Sequence, residues 1–162
     1  SVLAGVLRHN MDSVNLVSAP IIAASRGIDV SVIKHDRVCD YQTLLRVSVG
    51  SKSRTRVLAG TLFAGTQGRL VDIQGIKIEA EFAKNMLYIR NYDSPGFIGA
   101  LGTLLGNEDI NIATFHLGRR ENGGEALALV EVEGDVTAAV LSDVRSLPQV
   151  VRANHLTFNS EH

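Results

Sequence analysis

Apolar positions recur at helical spacing at the start of the chain and alternate with polar ones afterwards. Residues 2–10 and 19–26 carry the helical spacing. For the second stretch Ser18 is the expected N-cap, Pro20 sits in the first turn and Gly27 is the stop, each a residue type suited to that place. From Ile28 onward the period is two, which predicts strands. "IDVSVIKH", "QTLLRVSVG", "RTRVLAGTLF" and "GRLVDIQGIKIEAEF" each read as one, with a tight turn at Gly75 inside the last. Residues 1–85 are thus helices followed by an antiparallel sheet, an α+β pattern.

Residues 86–162 alternate the two periods. "MLYIRNY" predicts a strand, and Pro95 to Leu105 a helix with Ser94 as N-cap and Pro95 at the first helical position. "INIATFHLGRR" and "EALALVEVEG" predict two strands joined by a turn at Gly123 and Gly124. "DVTAAVLSDVRSL" is an amphipathic helix with Ala138, Leu141, Val144 and Arg145 at helical intervals, and "VVRANHLTF" alternates as a last strand. The order βαββαβ is ferredoxin-like, with both helices on one face of an antiparallel sheet.

The overall charge of -1 hides an asymmetry. Residues 1–85 hold 11 Lys+Arg against 7 Asp+Glu, and residues 86–162 hold 5 against 10. Such a split predicts two domains, 1–85 and 86–162, with different partners. Their boundary near "AEFAKNM" lacks a Pro- or Gly-rich linker, so close coupling is expected. The 45% hydrophobic content is ordinary for a globular protein. No apolar run approaches the roughly 20 residues of a membrane helix, and no signal-peptide pattern is visible. The single cysteine, Cys39, excludes an internal disulfide framework and fits a reducing compartment, so a cytoplasmic location is expected. The opening "SVLAGVLRH" reads as the middle of a helix without caps, as in a domain cut from a longer chain, and the polar "NSEH" carries no fold argument.

The candidate chemistry concentrates in "NYDSPGFIGALGTLLGNEDINIATFHLGRR". Its glycines follow G-x-x-G-x-x-G spacing and precede a hairpin, whereas a dinucleotide loop needs G-x-G-x-x-G inside a parallel crossover, and no Gly-Lys-Ser/Thr is present. Gly99 and Gly102 share a helix face, where close packing would offset the roughly 1 kcal/mol that each glycine costs a helix. Asn91 and Asp93 point to one side of the strand just before the helix. The N–H groups of Gly96, Phe97 and Ile98 at the helix start suit a carboxylate, and Asp93 suits an ammonium group. Asn111, opening the next strand, can accept and donate. Together these groups complement a zwitterionic α-amino acid; the competing role for Asp93 is a simple helix cap.

This stretch, in its βαββαβ setting, resembles an ACT domain, a small-molecule sensor fused to many amino-acid biosynthetic enzymes. "VNLVSAPIIAASRGIDV" and "LAGTLFAGTQGRLVDIQGIKIEAE" resemble the intervening domain of long-form D-3-phosphoglycerate dehydrogenases. The resemblance covers nearly the whole chain. It implies a regulatory region, cut short at the first strands of the intervening domain and lacking that family's nucleotide-binding and substrate domains. It also implies L-serine bound between paired ACT domains of a homodimer or tetramer, with NAD needed only by the parent enzyme. Asp93 and the Asn111–Ile112 pair match the amino-acid-holding positions, and the Gly96–Ile98 amides match the carboxylate dock. Asn91 stands where other members carry histidine or tyrosine. A regulatory module of an L-serine dehydratase is the alternative reading, and a free-standing small enzyme a third.

In "SKSRTR", Lys52, Arg54 and Arg56 would share one strand face, either as a solvated, charge-guarded edge or, with Arg69, as an anion site. The related intervening domains bind phosphate or phosphorylated substrate at a basic site. Arg69 falls on one of its cationic positions, but Glu81 falls on another. Aromatic residues are only 5% and no longer basic run exists, which argues against a nucleic-acid partner. His9, His35, His116, His155 and His162 lack metal-ligand spacing, and no catalytic order of Ser, His and Asp is visible. The chain reads as a module that binds and does not catalyse.

Overall fold

The computed structural model describes residues 2–8, 11, 13–34, 41, 43–120 and 124–158. Cys39, His9, His35, His162 and Gly123 lie outside them. The chain divides into two compact units, Ser1–Cys39 and Asp40–His162.

In the first unit, helices α1 (Val2–Arg8) and α2 (Ser18–Ser25) share a small core of Ala4, Leu7, Val14, Ala19 and Ala23. Ser18 is not the N-cap expected of it. Asn15 Oδ1 accepts from the amides of Val17 (2.9 Å) and Ser18 (2.8 Å), and Ser18 Oγ accepts from the Asn15 amide (3.0 Å). Gly27 ends α2 as expected: its amide donates to Ala24 O and that of Ile28 to Ala23 O, the paired bonds of a Schellman motif. The strand expected over "IDVSVIKH" does not form in Ile28–Lys34, where Val30, Val32 and Ile33 are exposed. Alternation makes a strand only where a neighbour accepts its hydrogen bonds, and among the described residues of its unit no strand runs beside this segment.

The second unit holds two four-stranded antiparallel sheets. Strands β1 (Leu45–Gly50), β2 (Thr55–Phe63), β3 (Gln67–Ile73) and β4 (Ile76–Glu81) form a meander in chain order. The β3–β4 turn puts Gln74 (φ 55) and Gly75 (φ 80) both at positive φ, the type I′ requirement. The second sheet is β5 (Asn85–Tyr92), β6 (Asn111–Arg119), β7 (Glu125–Glu133) and β8 (Val150–Thr157), in the order β6-β7-β5-β8. Helices α3 (Phe97–Asn107) and α4 (Ala138–Ser146) complete the ferredoxin-like βαββαβ order. The α+β expectation holds for both halves.

Leu87, Ile89, Ala128 and Val130 of the second sheet meet Leu101, Leu105, Val140 and Val144 of the helices in one core. Thr137 Oγ1 caps α4 by accepting from the Val140 amide (3.2 Å), and Val140 and Val144 form its inward face while Ala138 stays exposed. The opposite face of the sheet is covered by β4, whose Ile76, Ile78 and Ala80 join Met86, Leu127 and Leu129 in a second core. Strand β7 is therefore buried on both faces, and its run Ala126–Val130 reads as continuous apolar sequence for that reason. Gly118 of β6 lets β4 come this close: a Cβ there would lie 2.5 Å from Lys77 O and 2.7 Å from Ile76 Cγ2.

The expected close packing at Gly99 and Gly102 is not found. A Cβ at either would meet nothing within 4 Å, so this face of α3 is open.

Candidate ligand pocket at the start of helix α3

The chain leaves β5 at Tyr92 and turns through Ser94, Pro95 and Gly96 before α3 begins at Phe97. Gly96 has φ 91 and ψ -16, the third-residue geometry of a type II turn, with proline before it as that turn favours. The N-cap is thus Gly96, not Ser94, and the helix starts two residues later than Pro95. The sequence Ser-Pro-Gly satisfies a turn better than a helical first turn, because only glycine takes this φ without strain. No side chain caps the helix, and the first intrahelical bond runs from the Ala100 amide to Gly96 O (2.9 Å). The N–H groups of Gly96, Phe97, Ile98 and Gly99 accordingly have no intrahelical partner, which is the expected Gly96–Ile98 set with Gly99 added.

Residues 93–99 and Arg119 line a pocket of about 330 Å³. Asp93 is held by its own amide, which donates to Gly124 O (3.1 Å), and its Oδ1 lies 3.3 Å from Arg119 Nε. Strands β5 and β6 both run antiparallel to β7, so their C-terminal ends lie together and Arg119 arrives beside the start of α3. The next residue, Arg120, turns instead to Glu125 (3.6 Å), which also holds Arg90 through both carboxylate oxygens at 2.7 Å. Sequence reasoning passed over Arg119. The signal was a basic residue closing the strand that a ferredoxin-like order sets parallel to "MLYIRNY".

Asn91 is 2% exposed and lies outside the pocket lining. Its Nδ2 donates to Tyr92 O (2.9 Å), and its Oδ1 has no partner among the described residues. Gln149 lies close by: its Nε2 would be 3.8 Å from a Cβ at Gly96, its Oε1 also lacks a partner, and its carbonyl accepts from the Tyr92 amide (2.8 Å). Asn111 stands at the opposite end of β6, eight residues and about 26 Å from Arg119, and donates to Glu133 Oε2 (2.8 Å). Its neighbour Ile112 packs against the helix-side core. Within one chain the structure brings together Asp93, Gly96, Phe97 and Ile98. It sets Asn91 outside the lining, and Asn111 and Ile112 far away.

The cationic residues are divided as well. Lys52 and Arg54 lie in the turn joining β1 to β2, closed by the Ser51 amide donating to Arg54 O (2.8 Å); only Arg56 is on a strand. The shared strand face expected of all three is not formed. Arg69, on β3, sits opposite Thr61, about 16 Å along β2 from Arg56. It is ion-paired to Glu81 at 2.6 Å and stacked 4.3 Å from the centre of the Phe63 ring. Arg69 also borders a second, larger cavity of about 440 Å³ against β1–β3, whose remaining lining is aliphatic, aromatic, glycine and threonine. Of these two cavities, the one at α3 sets a carboxylate and a guanidinium face to face beside the start of a helix. No described helix is long and apolar enough to cross a membrane.

Residues 1–74 match the family model of the D-3-phosphoglycerate dehydrogenase intervening domain, and residues 85–149 that of the ACT domain. Similar proteins include D-3-phosphoglycerate dehydrogenases of Bacillus subtilis (32% identical, covering 93% of this chain and 29% of the relative) and Archaeoglobus fulgidus (34%, 90% and 28%). That of Synechocystis is 30% identical, with 82% of this chain and 24% of the relative covered. The chain spans less than a third of the length of these relatives.

Proposed function

Because the chain belongs to the D-3-phosphoglycerate dehydrogenase family, as an intervening domain joined to an ACT domain, we propose that it senses L-serine for such an enzyme. The observation that carries this reading is the pocket at the start of α3, where Asp93 suits an ammonium group and the Phe97, Ile98 and Gly99 amides suit a carboxylate. An α-amino acid presents those two groups a short distance apart. Residues 1–85 form the intervening domain and 86–162 the sensing domain. Dehydrogenation of a phosphorylated hydroxy acid with NAD belongs to the rest of the parent enzyme.

The sensing unit is a pair of chains joined through their ACT domains. Strand β6 is an edge of its sheet, with Asn111 exposed on it, and the open Gly99–Gly102 face of α3 leaves room for a second copy. Pairing supplies Asn111 to the pocket of the neighbouring copy, which accounts for its distance from Asp93 within one chain. The amino acid then favours one arrangement of the pair, and that preference reaches the catalytic part as a shift in population.

Calorimetry with L-serine, with glycine and D-serine as controls, tests the proposal. L-serine is expected to bind with heat and the controls more weakly. A dimer that gives no heat with L-serine overturns it.

A further inference from the structure

Arg119 is the one cation lining the α3 pocket among the described residues, and it rests on the one carboxylate there, Asp93, at 3.3 Å. Arg119 is 63% exposed and Asp93 28%. A pair this open to water is held weakly, because solvent screens it and two side chains must be kept in register. Among the described residues Arg119 has no other acidic partner, whereas its neighbour Arg120 is engaged by Glu125. The pocket thus holds one negative and one positive group that neutralise each other through a link the solvent can readily break.

We infer that Arg119 is the specificity-determining residue of this pocket, exchanging Asp93 for the α-carboxylate of a bound amino acid. The inference rests on the amino-acid reading of the site and adds the feature that selects a zwitterion. The ligand's ammonium takes Arg119's place on Asp93, and its carboxylate takes Asp93's place on Arg119. No bond is made or broken, and charge balances before and after. One internal pair becomes two pairs through the ligand, and a planar guanidinium can meet a carboxylate with two N–H groups at once. An amine without a carboxylate would take Asp93 and leave the guanidinium unmatched. A carboxylate without an amine would do the reverse. The α3 amides alone are less discriminating, since they also suit a neutral carbonyl oxygen.

The test compares L-serine with L-serinamide by calorimetry, at a pH where both amines are protonated, on the whole chain and on its Arg119→Ala and Arg119→Lys variants. The readout is the ratio of the two affinities in each protein. This ratio cancels any general gain from freeing Asp93. Wild type is expected to prefer L-serine by about tenfold or more, as for a hydrogen-bonded charge pair. Arg119→Ala should lose most of that preference, and Arg119→Lys should keep part of it. Unchanged thermal unfolding of both variants serves as the control for folding. If wild type binds L-serine and Arg119→Ala keeps the full ratio, Arg119 is only a counterion of Asp93 and the inference falls alone. A wild-type chain that binds neither compound removes the amino-acid reading, and this role with it.

Discussion

A hydrogen atom is all that Gly118 can place between β6 and β4. Substitution by alanine would set a methyl group 2.5 Å from the Lys77 carbonyl, a backbone atom that cannot swing aside. Gly118→Ala is expected to cost about 3 kcal/mol, the upper range of overpacking, read from urea unfolding; a loss below about 0.5 kcal/mol would show that the sheets slide apart cheaply. Tyr88 offers a second residue-scale prediction. Burial of its hydroxyl raises its pKa above the ordinary 10.0, while Arg90, Arg152 and Arg56 pull in the other direction. A raised folded pKa means the stabilising contribution is whole below 10.0 and is lost as pH climbs through the folded value. Urea midpoints should therefore fall more steeply above that pH in wild type than in Tyr88→Phe; parallel curves would refute the assignment. Neither Gly118 nor Arg119 stands out in the sequence. Each matters through a partner brought in by topology, Lys77 from the other sheet and Asp93 across a crossover of α3.

At the scale of elements, α3 separates backbone chemistry from helix propensity. Gly102 faces open space within the chain, so Gly102→Ala should stabilise the isolated protomer by about 1 kcal/mol through helix propensity alone. Thermal unfolding at a concentration that keeps the protein monomeric checks this, and destabilisation there would mean the face is covered. In α4 the Thr137 hydroxyl satisfies the Val140 amide, and Thr137→Ala should cost about 1 kcal/mol by the same measurement. Strands β1 to β8 and helices α3 and α4 were legible, because two-fold and helical spacing report which side of an element faces a core. Their ends were less so. Ser94 looks like a cap, but Pro95-Gly96 makes a turn first, and "SKSRTR" alternates although its first residues are a loop. "IDVSVIKH" alternates without a strand beside it. Periodicity records which side chains would be buried in a strand, and it is silent on whether another strand is there to accept the hydrogen bonds.

For the whole molecule, the shared core of Ile76, Ile78 and Ala80 with Met86, Leu127 and Leu129 ties the two sheets into one cooperative body, although their family matches meet between residues 74 and 85. A fragment of residues 85–158 would expose Met86, Leu127 and Leu129, each at most 1% exposed in the whole chain. We expect it to bind a hydrophobic dye and to unfold at lower urea than residues 40–158; equal midpoints would separate the two sheets energetically. The charge split of the sequence, basic before residue 85 and acidic after, said nothing of this coupling, since the residues that make it are apolar. The double burial of β7 also has a consequence in time. Its amide protons lie between two strands and beneath cover on both faces, so only opening of the entire body releases them to solvent. In deuterated water the backbone of Ala126–Val130 should be the last to exchange. The slowest rate recorded there would then report the stability of this two-sheet body without any denaturant.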